Sequence, residues 1–179
     1  MGATDLHEQH DHNHGHGGHC VHREVNASIT DYENHGIRFQ FPSNWALAEQ
    51  STDEETTISV QSDGTSFWML MLFKRRPDPE EVLETAVKAF VQDYEDVDVV
   101  SAVGSLCGLP SLGRELDFVC YDLVNSATIR VFQTGELTIM VLFQGTDHEL
   151  KVTGTPLKAI TASLRCDDDD NLEDVAPRG

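Results

Sequence analysis

Apolar and polar residues alternate along much of the chain from residue 36 onward, the pattern of β-strands that turn one face toward a core. The segment 36–41 shows this alternation, and Pro42 ends it. A second alternating segment runs over 57–61, and Asp63-Gly64 after it is typical of a hairpin turn. The segment 67–73 is almost continuously apolar, which predicts a central strand covered on both faces.

The clearest helix signal follows this apolar strand. Asp78 is suited to cap a helix, Pro79 suits its first turn, and the next two residues are acidic. From there, apolar positions recur at helical spacing, which predicts a helix over Pro79–Tyr94. Its predicted apolar stripe consists of Leu83, Ala86, Val87, Phe90, Val91 and Tyr94.

The second half of the chain is predicted to hold four more strands and a short helix. Residues 97–103 are strand-like, and residues 104–113 are rich in turn formers. Residues 157–164 predict the last helix, because Gly154 and Pro156 interrupt the helical pattern upstream. Between them, an antiparallel meander is predicted, with strands at Glu115–Leu123, Thr128–Thr134 and Leu137–Gln144 and turns at Asn125-Ser126 and Gly135-Glu136.

The order of these elements predicts an α+β fold. Strands outnumber helices and follow one another through short turns, so the sheet should be mostly antiparallel. Several strands are apolar on both faces, which predicts an α/β/α sandwich with helices on each side. We therefore expect one domain at 29–165, between a His-rich flexible tail at 1–28 and an acidic disordered tail at 166–179.

The charge of the chain excludes one class of partner. The 179 residues include 31 acidic and 12 basic side chains, which gives a formal charge of −19. Residues 1–35 and 166–179 each hold six acidic residues and one arginine, so each contributes −5, and the segment 36–165 holds the remaining −9. Because binding to nucleic acid needs clustered Lys and Arg, we expect no nucleic acid partner.

Two charged clusters are candidates for weak binding. The run Asp167–Asp170 lacks the alternating spacing and the glycine of a calcium loop, and a solvated tail is the better interpretation. The basic cluster Lys74-Arg75-Arg76 is expected to anchor the end of a strand or to pair with the acidic surface. A contact with phosphate or another anion is the alternative for these three residues.

The distribution of apolar residues along the sequence indicates where in the cell the protein is expected. No apolar run reaches the roughly 18 residues that span a bilayer. The first residues are polar and His-rich, without the basic and apolar regions of a secretory signal. We therefore expect no membrane association and a cytoplasmic location.

Histidine is concentrated near the N-terminus, where it suggests metal binding. Seven of the nine histidines lie within residues 7–22, where Gly15, Gly17 and Gly18 make the backbone flexible. Imidazole and thiolate are ligands for divalent transition metals such as Zn²⁺ and Ni²⁺. The candidate metal ligands are His7, His10, His12, His14, His16, His19, Cys20 and His22. They outnumber the four ligands of one tetrahedral site and lack zinc-finger spacing, so we expect loosely bound Zn or Ni and no organic cofactor.

The remaining cysteines suggest little catalytic chemistry. Four cysteines without a C-x-x-C pair are not typical of a disulfide framework. Cys120 lies on the apolar side of a strand, which predicts a buried, inert thiol. Cys107 as a nucleophile would need His35 or His148 brought beside it as a base. No nucleophile-elbow, phosphate-loop or metalloprotease motif occurs in the sequence, so we expect no enzymatic activity.

Several structural residues resemble a known superfamily. Residues 36–45 (Gly-Ile-Arg-Phe-Gln-Phe-Pro-Ser-Asn-Trp) resemble the opening strand and turn of the Mog1/PsbP-like superfamily, with its G-x-x-F-x-x-P-x-x-W pattern. The helix at 79–94, the strand–turn–strand around 108–114 and the Ile-x-x-Ser-Leu ending at 160–164 are similar to its later parts. The resemblance covers about residues 29–165.

This resemblance implies a fold and no catalytic residues. It implies an α/β/α arrangement around an antiparallel sheet. The superfamily includes a Ran-binding nuclear transport factor, extrinsic subunits of photosystem II and bacterial envelope lipoproteins. None of these supplies a catalytic motif that maps onto this chain.

The sequence leaves three classes of function open. The leading prediction is a non-enzymatic protein that binds divalent transition metal through residues 7–22, for storage, buffering or delivery. The alternative is a protein–protein interaction module of Mog1/PsbP-like type, which uses a sheet edge or an acidic face and carries an incidental tail. The third class is a small cysteine hydrolase built on Cys107.

Overall fold

The structure is a computed structural model, which describes residues 28–167 as two antiparallel sheets and two helices. In chain order the elements are β1 (Ile29–Asn34), β2 (Ile37–Pro42), β3 (Ala46–Ser51), β4 (Glu55–Gln61), β5 (Phe67–Phe73), α1 (Pro79–Asp93), β6 (Glu95–Leu106), β7 (Leu109–Cys120), β8 (Leu123–Gln133), β9 (Thr138–Thr146), α2 (Asp147–Ser163) and β10 (Arg165–Cys166).

The larger sheet has seven strands in the order β3-β4-β5-β9-β8-β7-β6, with antiparallel neighbours throughout. A smaller sheet has the order β1-β2-β10. Helix α1 packs on one face of the large sheet, mainly against β8 and β7. Helix α2 and the small sheet cover the other face. The α/β/α sandwich predicted from the sequence is therefore confirmed, with the small sheet sharing a layer with α2.

Strand β5 shows how the sequence produces a core on each side of the large sheet. Its even-numbered residues, Trp68, Leu70 and Leu72, are fully buried against the α2 layer. Its odd-numbered residues include Met69 and Met71, which pack as half-buried side chains toward the α1 layer. Because side chains alternate along a strand, a continuous apolar segment contributes side chains to the core on each side of the sheet. The prediction that this strand is covered on both faces is therefore confirmed.

Helix α1 begins as predicted, but its buried face is rotated slightly about the helix axis from the predicted apolar stripe. The Asp78 side chain accepts hydrogen bonds from the backbone N–H groups of Glu80 and Glu81. Val82 is buried, whereas Val91, which belongs to the predicted stripe, is 54% exposed. These two residues lie on opposite flanks of the stripe, and the packing of the helix on the sheet buries only the Val82 flank.

Helix α2 is about twice as long as the sequence suggested. Thr146 and Glu149 form a capping box that starts the helix at Asp147, and Pro156 lies inside it. The expectation that Pro156 would break the helix is therefore wrong. The proline removes a hydrogen bond to the carbonyl of Val152, whose side chain is 79% exposed. On this solvent-facing side of the helix, water can bond the released carbonyl.

Two tight turns replace predicted features of the meander. Cys107-Gly108 joins β6 to β7, so most of the predicted turn-rich segment 104–113 consists of two paired strands. Tyr121-Asp122 joins β7 to β8, whereas the turn was predicted at Asn125-Ser126. Both observed turns have positive φ at both residues, between 50° and 69°, the backbone of two-residue hairpin turns.

Candidate functional site

The metal ligands predicted from the sequence lie outside the residues that the structure describes. The histidines of 7–22 and Cys20 precede residue 28, and the acidic segment 166–179 is described only as far as Asp167. Within residues 28–167, no group of three or more His, Cys, Asp or Glu side chains is placed to hold a metal ion. Four other features of residues 28–167 are therefore considered as candidate sites.

The first feature is a small polar network around the β1–β2 turn. His35 Nε2 lies 2.7 Å from Glu49 Oε1, and the Tyr32 hydroxyl donates to Glu49 Oε2 at 2.8 Å. Glu49 belongs to β3, so the network joins the small sheet to the edge of the large one. The hydrogen bonds from His35 and Tyr32 lower the pKa of Glu49. Burial and the neighbouring carboxylate raise the pKa of Tyr32, which therefore stays a hydrogen-bond donor.

The turn that carries His35 also borders a small cavity. His35 and Gly36 both have positive φ, 56° and 72°, which suits the two-residue turn between β1 and β2. The cavity has a volume of about 130 Å³ and is lined by His35, Gly36, Ile37, Thr134, Glu136, Leu137, Cys166 and Asp167. It would hold a few water molecules or a small ion, and it is too small for a drug-sized organic cofactor.

The second feature is a pair of thiols from distant parts of the chain. Cys107 Sγ lies 3.1 Å from Cys166 Sγ, and it also donates to the Leu164 carbonyl at 3.5 Å. Cys107 is half-buried in the β6–β7 turn, whereas Cys166 is 2% exposed in β10. The pair is not predictable from the sequence, because 59 residues separate its members.

Neither histidine considered as a base for Cys107 is among the recorded contacts of its thiol. His35 bonds Glu49, and His148 is an exposed residue in the first turn of α2. Cys107 instead contacts a carbonyl and a second thiol, neither of which is a general base of the kind that cysteine catalysis uses. Cys120, predicted to be buried, is half-buried at the end of β7, where it packs against the core beneath α1.

The third feature is the exposed edge strand β6. Among residues 28–167, no strand pairs with its outer edge, since β6 is the last strand in the order of the large sheet. Val99, Val100 and Val103 are 40%, 63% and 85% exposed. The strand contains no Lys, Arg or Pro, residues that often protect a sheet edge from pairing with another chain. A bulge between Glu95 and Asp98 is the main irregularity of its pairing with β7.

The fourth feature is the basic cluster at the end of β5. Arg75 lies 2.6 Å from Glu54, and Lys74 donates to the Thr52 carbonyl. Arg76 Nε donates to the Thr134 carbonyl at 3.0 Å. These contacts fasten the strand end to two neighbouring turns, as the sequence suggested for this cluster. They also engage part of the cluster's hydrogen-bonding capacity, which weakens the alternative of an anion contact.

Open clefts also flank the two helices. Beside α1, a mostly apolar cleft of about 330 Å³ is lined by residues that include Met71, Phe73 and Met140. Beside α2, a cleft of about 580 Å³ contains Lys158 and Arg130. Arg130 is paired with Glu115 on the neighbouring strand, so its charge is largely compensated there.

Solved structures of other proteins are similar to this fold, among them the following two. The solution structure of the cyanobacterial PsbP protein CyanoP from Synechocystis sp. PCC 6803 matches with a TM-score of 0.58 at 12% identity, over 86% of this chain and 98% of that one. LpqN, described as involved in cell envelope biogenesis of Mycobacterium tuberculosis, matches with a TM-score of 0.51 at 12% identity, over 77% and 90%. No protein-family model and no curated protein matches the sequence.

These likenesses define the class of fold. The domain has a Mog1/PsbP-like fold, as the resemblance of residues 36–45 implied. At 12% identity the likeness concerns architecture and carries over no binding residues. No helix within residues 28–167 is long and apolar enough to cross a membrane.

Proposed function

We propose that this protein is a non-enzymatic metal-binding protein in which a Mog1/PsbP-like domain carries a His-rich N-terminal segment as the ligand. The observation that supports this proposal is the density of ligands in the sequence. Seven histidines and Cys20 occur within the sixteen positions 7–22. Zn²⁺ or Ni²⁺ is the expected cargo, because both accept several imidazole nitrogens at once.

The proposal assigns loose binding rather than a single rigid site. Ligands in excess of four allow several ligand sets of similar energy around one ion. Such a site suits storage, buffering or delivery, which all require that the metal can leave. The binding should also weaken below about pH 6.5, because histidine must lose its proton before it can bind a metal.

Calorimetric titration of Zn²⁺ and Ni²⁺ into the full chain tests this function. In a full-length variant with alanine at the seven histidines of 7–22, most of the binding heat should disappear. The matched control replaces the two other histidines, His35→Ala and His148→Ala, and should bind as the wild type does. Equal heats from wild type and the seven-alanine variant would contradict the proposal. Metal analysis of protein purified without a metal-affinity step shows whether the site is filled in the cell.

A second function is favoured by the exposed edge of β6. Another chain can add a strand to such an edge, with backbone hydrogen bonds for affinity and side-chain contacts for specificity. Val99 and Val103, which share one face of β6, would supply an apolar contact surface. Glu95, Asp96 and Asp98 at the start of the strand favour a partner that is basic at the matching end. The domain is then an interaction module, and the N-terminal segment is secondary.

Capture experiments with edge variants test this second function. Val103→Lys places a charge in the exposed edge and should weaken partner binding at least tenfold. Val152→Lys is the control, because Val152 is similarly exposed but lies on α2. If both variants retain the same partners as wild type, β6 is not the binding surface. Removal of residues 1–24 should leave these partners bound.

A further inference from the structure

Two cysteines that are far apart in sequence meet at the end of the domain. Cys107 Sγ and Cys166 Sγ are 3.1 Å apart, about 1 Å more than a disulfide bond. Neither cysteine belongs to a disulfide in this structure. The two sulfur atoms therefore need to approach by only about 1 Å to reach bonding distance.

Each cysteine is held in place by its own element. Cys107 occupies the first position of the β6–β7 turn with φ of 50°, a backbone conformation that is uncommon for a residue with a side chain. Cys166 pairs with Ile37 in register across the small sheet. The Leu164 carbonyl accepts a hydrogen bond from the Cys107 thiol, which keeps that thiol turned toward the end of α2. The pair is thus positioned by the fold and does not depend on a flexible segment.

We propose that Cys107 and Cys166 form a reversible disulfide, a redox modification site that is independent of metal binding. The oxidant class is a small-molecule disulfide such as oxidised glutathione. The Cys107 thiolate attacks one sulfur of the small disulfide, forming a mixed disulfide and releasing one small thiolate. The Cys166 thiolate then attacks Cys107 Sγ and releases the second. In total, two protein thiols become one disulfide, and the small disulfide takes up both electrons and both protons as two thiols.

The difference in exposure sets the order of these two steps. Cys107 is half-buried and is reachable by a small oxidant, whereas Cys166 is 2% exposed. Reactivity of a thiol toward small disulfides depends on access as well as on ionisation. Cys107 is therefore the attacking residue, and Cys166 is the resolving residue.

The disulfide would fasten the last strand of the domain. Strand β10 is short and pairs with β2 through Arg165 and Cys166 alone. A covalent link from Cys166 to the β6–β7 turn would close a chain loop that spans 59 positions. Closing a loop of that size restricts the unfolded chain strongly, so the oxidised form should melt roughly 5–15 °C higher than the reduced form.

Peptide mapping after oxidation tests the proposal directly. Trypsin places Cys107 in the peptide 89–114 and Cys166 in the peptide 166–178, while Cys20 and Cys120 fall in other peptides. After incubation of the full chain with oxidised glutathione and a metal chelator, the two peptides should appear linked, with the loss of two hydrogen atoms. Dithiothreitol should return both peptides to the reduced form.

Single-cysteine variants test the two steps separately, and the substitutions are chosen to preserve the fold. Cys107→Asn removes the first thiol and suits the turn, since Asn-Gly is the favoured pair in such turns. It should leave Cys166 reduced. Cys166→Ala should accumulate a Cys107–glutathione adduct, and Cys120→Ser should form the link as wild type does. The proposal is overturned if Cys107 and Cys166 stay reduced in wild type, or if Cys107 pairs mainly with Cys20 or Cys120.

Discussion

Glu149 shows how one carboxylate can join two distant segments. Its side chain accepts hydrogen bonds from the Thr65 backbone N–H at 2.7 Å and the Thr65 hydroxyl at 2.6 Å. It also completes the capping box with Thr146 at the start of α2. Partial burial by itself would raise its pKa, but these hydrogen bonds outweigh burial and lower the pKa to about 2. The ionised carboxylate therefore fastens the helix start to the β4–β5 turn.

This depressed pKa predicts an acid-sensitive contribution to stability. The carboxylate of an unfolded chain has a pKa of about 4.3, above the folded value. The stabilisation is then fully present above about pH 5 and is lost as the pH falls toward 2. Glu149→Gln should lower the free energy of unfolding by about 1–2 kcal/mol at pH 7. Urea unfolding at pH 7 and at pH 3 should show that the gap between variant and wild type narrows in acid.

A matched substitution makes the pH test specific. Glu33→Gln changes an exposed residue of β1 and should alter stability little at either pH. The interpretation of Glu149 would fail if Glu149→Gln lost the same stability at pH 3 as at pH 7. A loss of that kind would mean that the side chain acts through packing and not through its charge.

Helices and strands were predicted best where a strong pattern of apolar and capping residues lies within a short segment. Strand β5 was predicted with its observed bounds, and α1 was predicted with its cap, because alternation and capping residues are visible within a few positions. Strands β1, β3 and β10 went unpredicted. Strand β1 has a weak apolar pattern, and β10 has two residues that are strand only through their pairing with β2.

The wrong turn positions have a common physical cause. The residues Gly104, Pro110 and Gly113 predicted a loop, yet they lie in β6 and β7. Strand pairing along a long hairpin outweighs the local preferences of single glycines and of a proline near the start of a strand. The turn residue Tyr121 carries no turn signal, because its positive φ is imposed by the register of the strands on either side.

Whether a candidate site can be predicted also depends on how far apart its residues lie in the sequence. The His-rich segment is readable from sequence because its ligands are neighbours in the chain. The Cys107–Cys166 pair depends on the fold, since it joins a hairpin turn to the last strand. The Tyr32–Glu49–His35 network also joins separate strands, and no spacing rule would have connected its members.

Two opposing electrostatic effects act on the folded protein. Ion pairs such as Arg75–Glu54, Arg114–Glu84 and Arg130–Glu115 favour folding. The Arg75–Glu54 pair is 78% and 62% exposed at its two side chains, and exposed pairs contribute little. Against them stands the mutual repulsion of a chain with a net charge of −19. Repulsion should outweigh these pairs, because it acts across the whole surface.

Salt should therefore stabilise this protein. Raising sodium chloride from about 10 mM to about 200 mM shortens the Debye length from about 30 Å to below 10 Å, which screens repulsion between distant carboxylates more than it weakens close pairs. We expect the melting temperature to rise by roughly 2–5 °C in metal-free buffer. Choline chloride at the same ionic strength should have the same effect, since the cause is screening and not a sodium site. A melting temperature that falls with salt would mean that the ion pairs outweigh the repulsion.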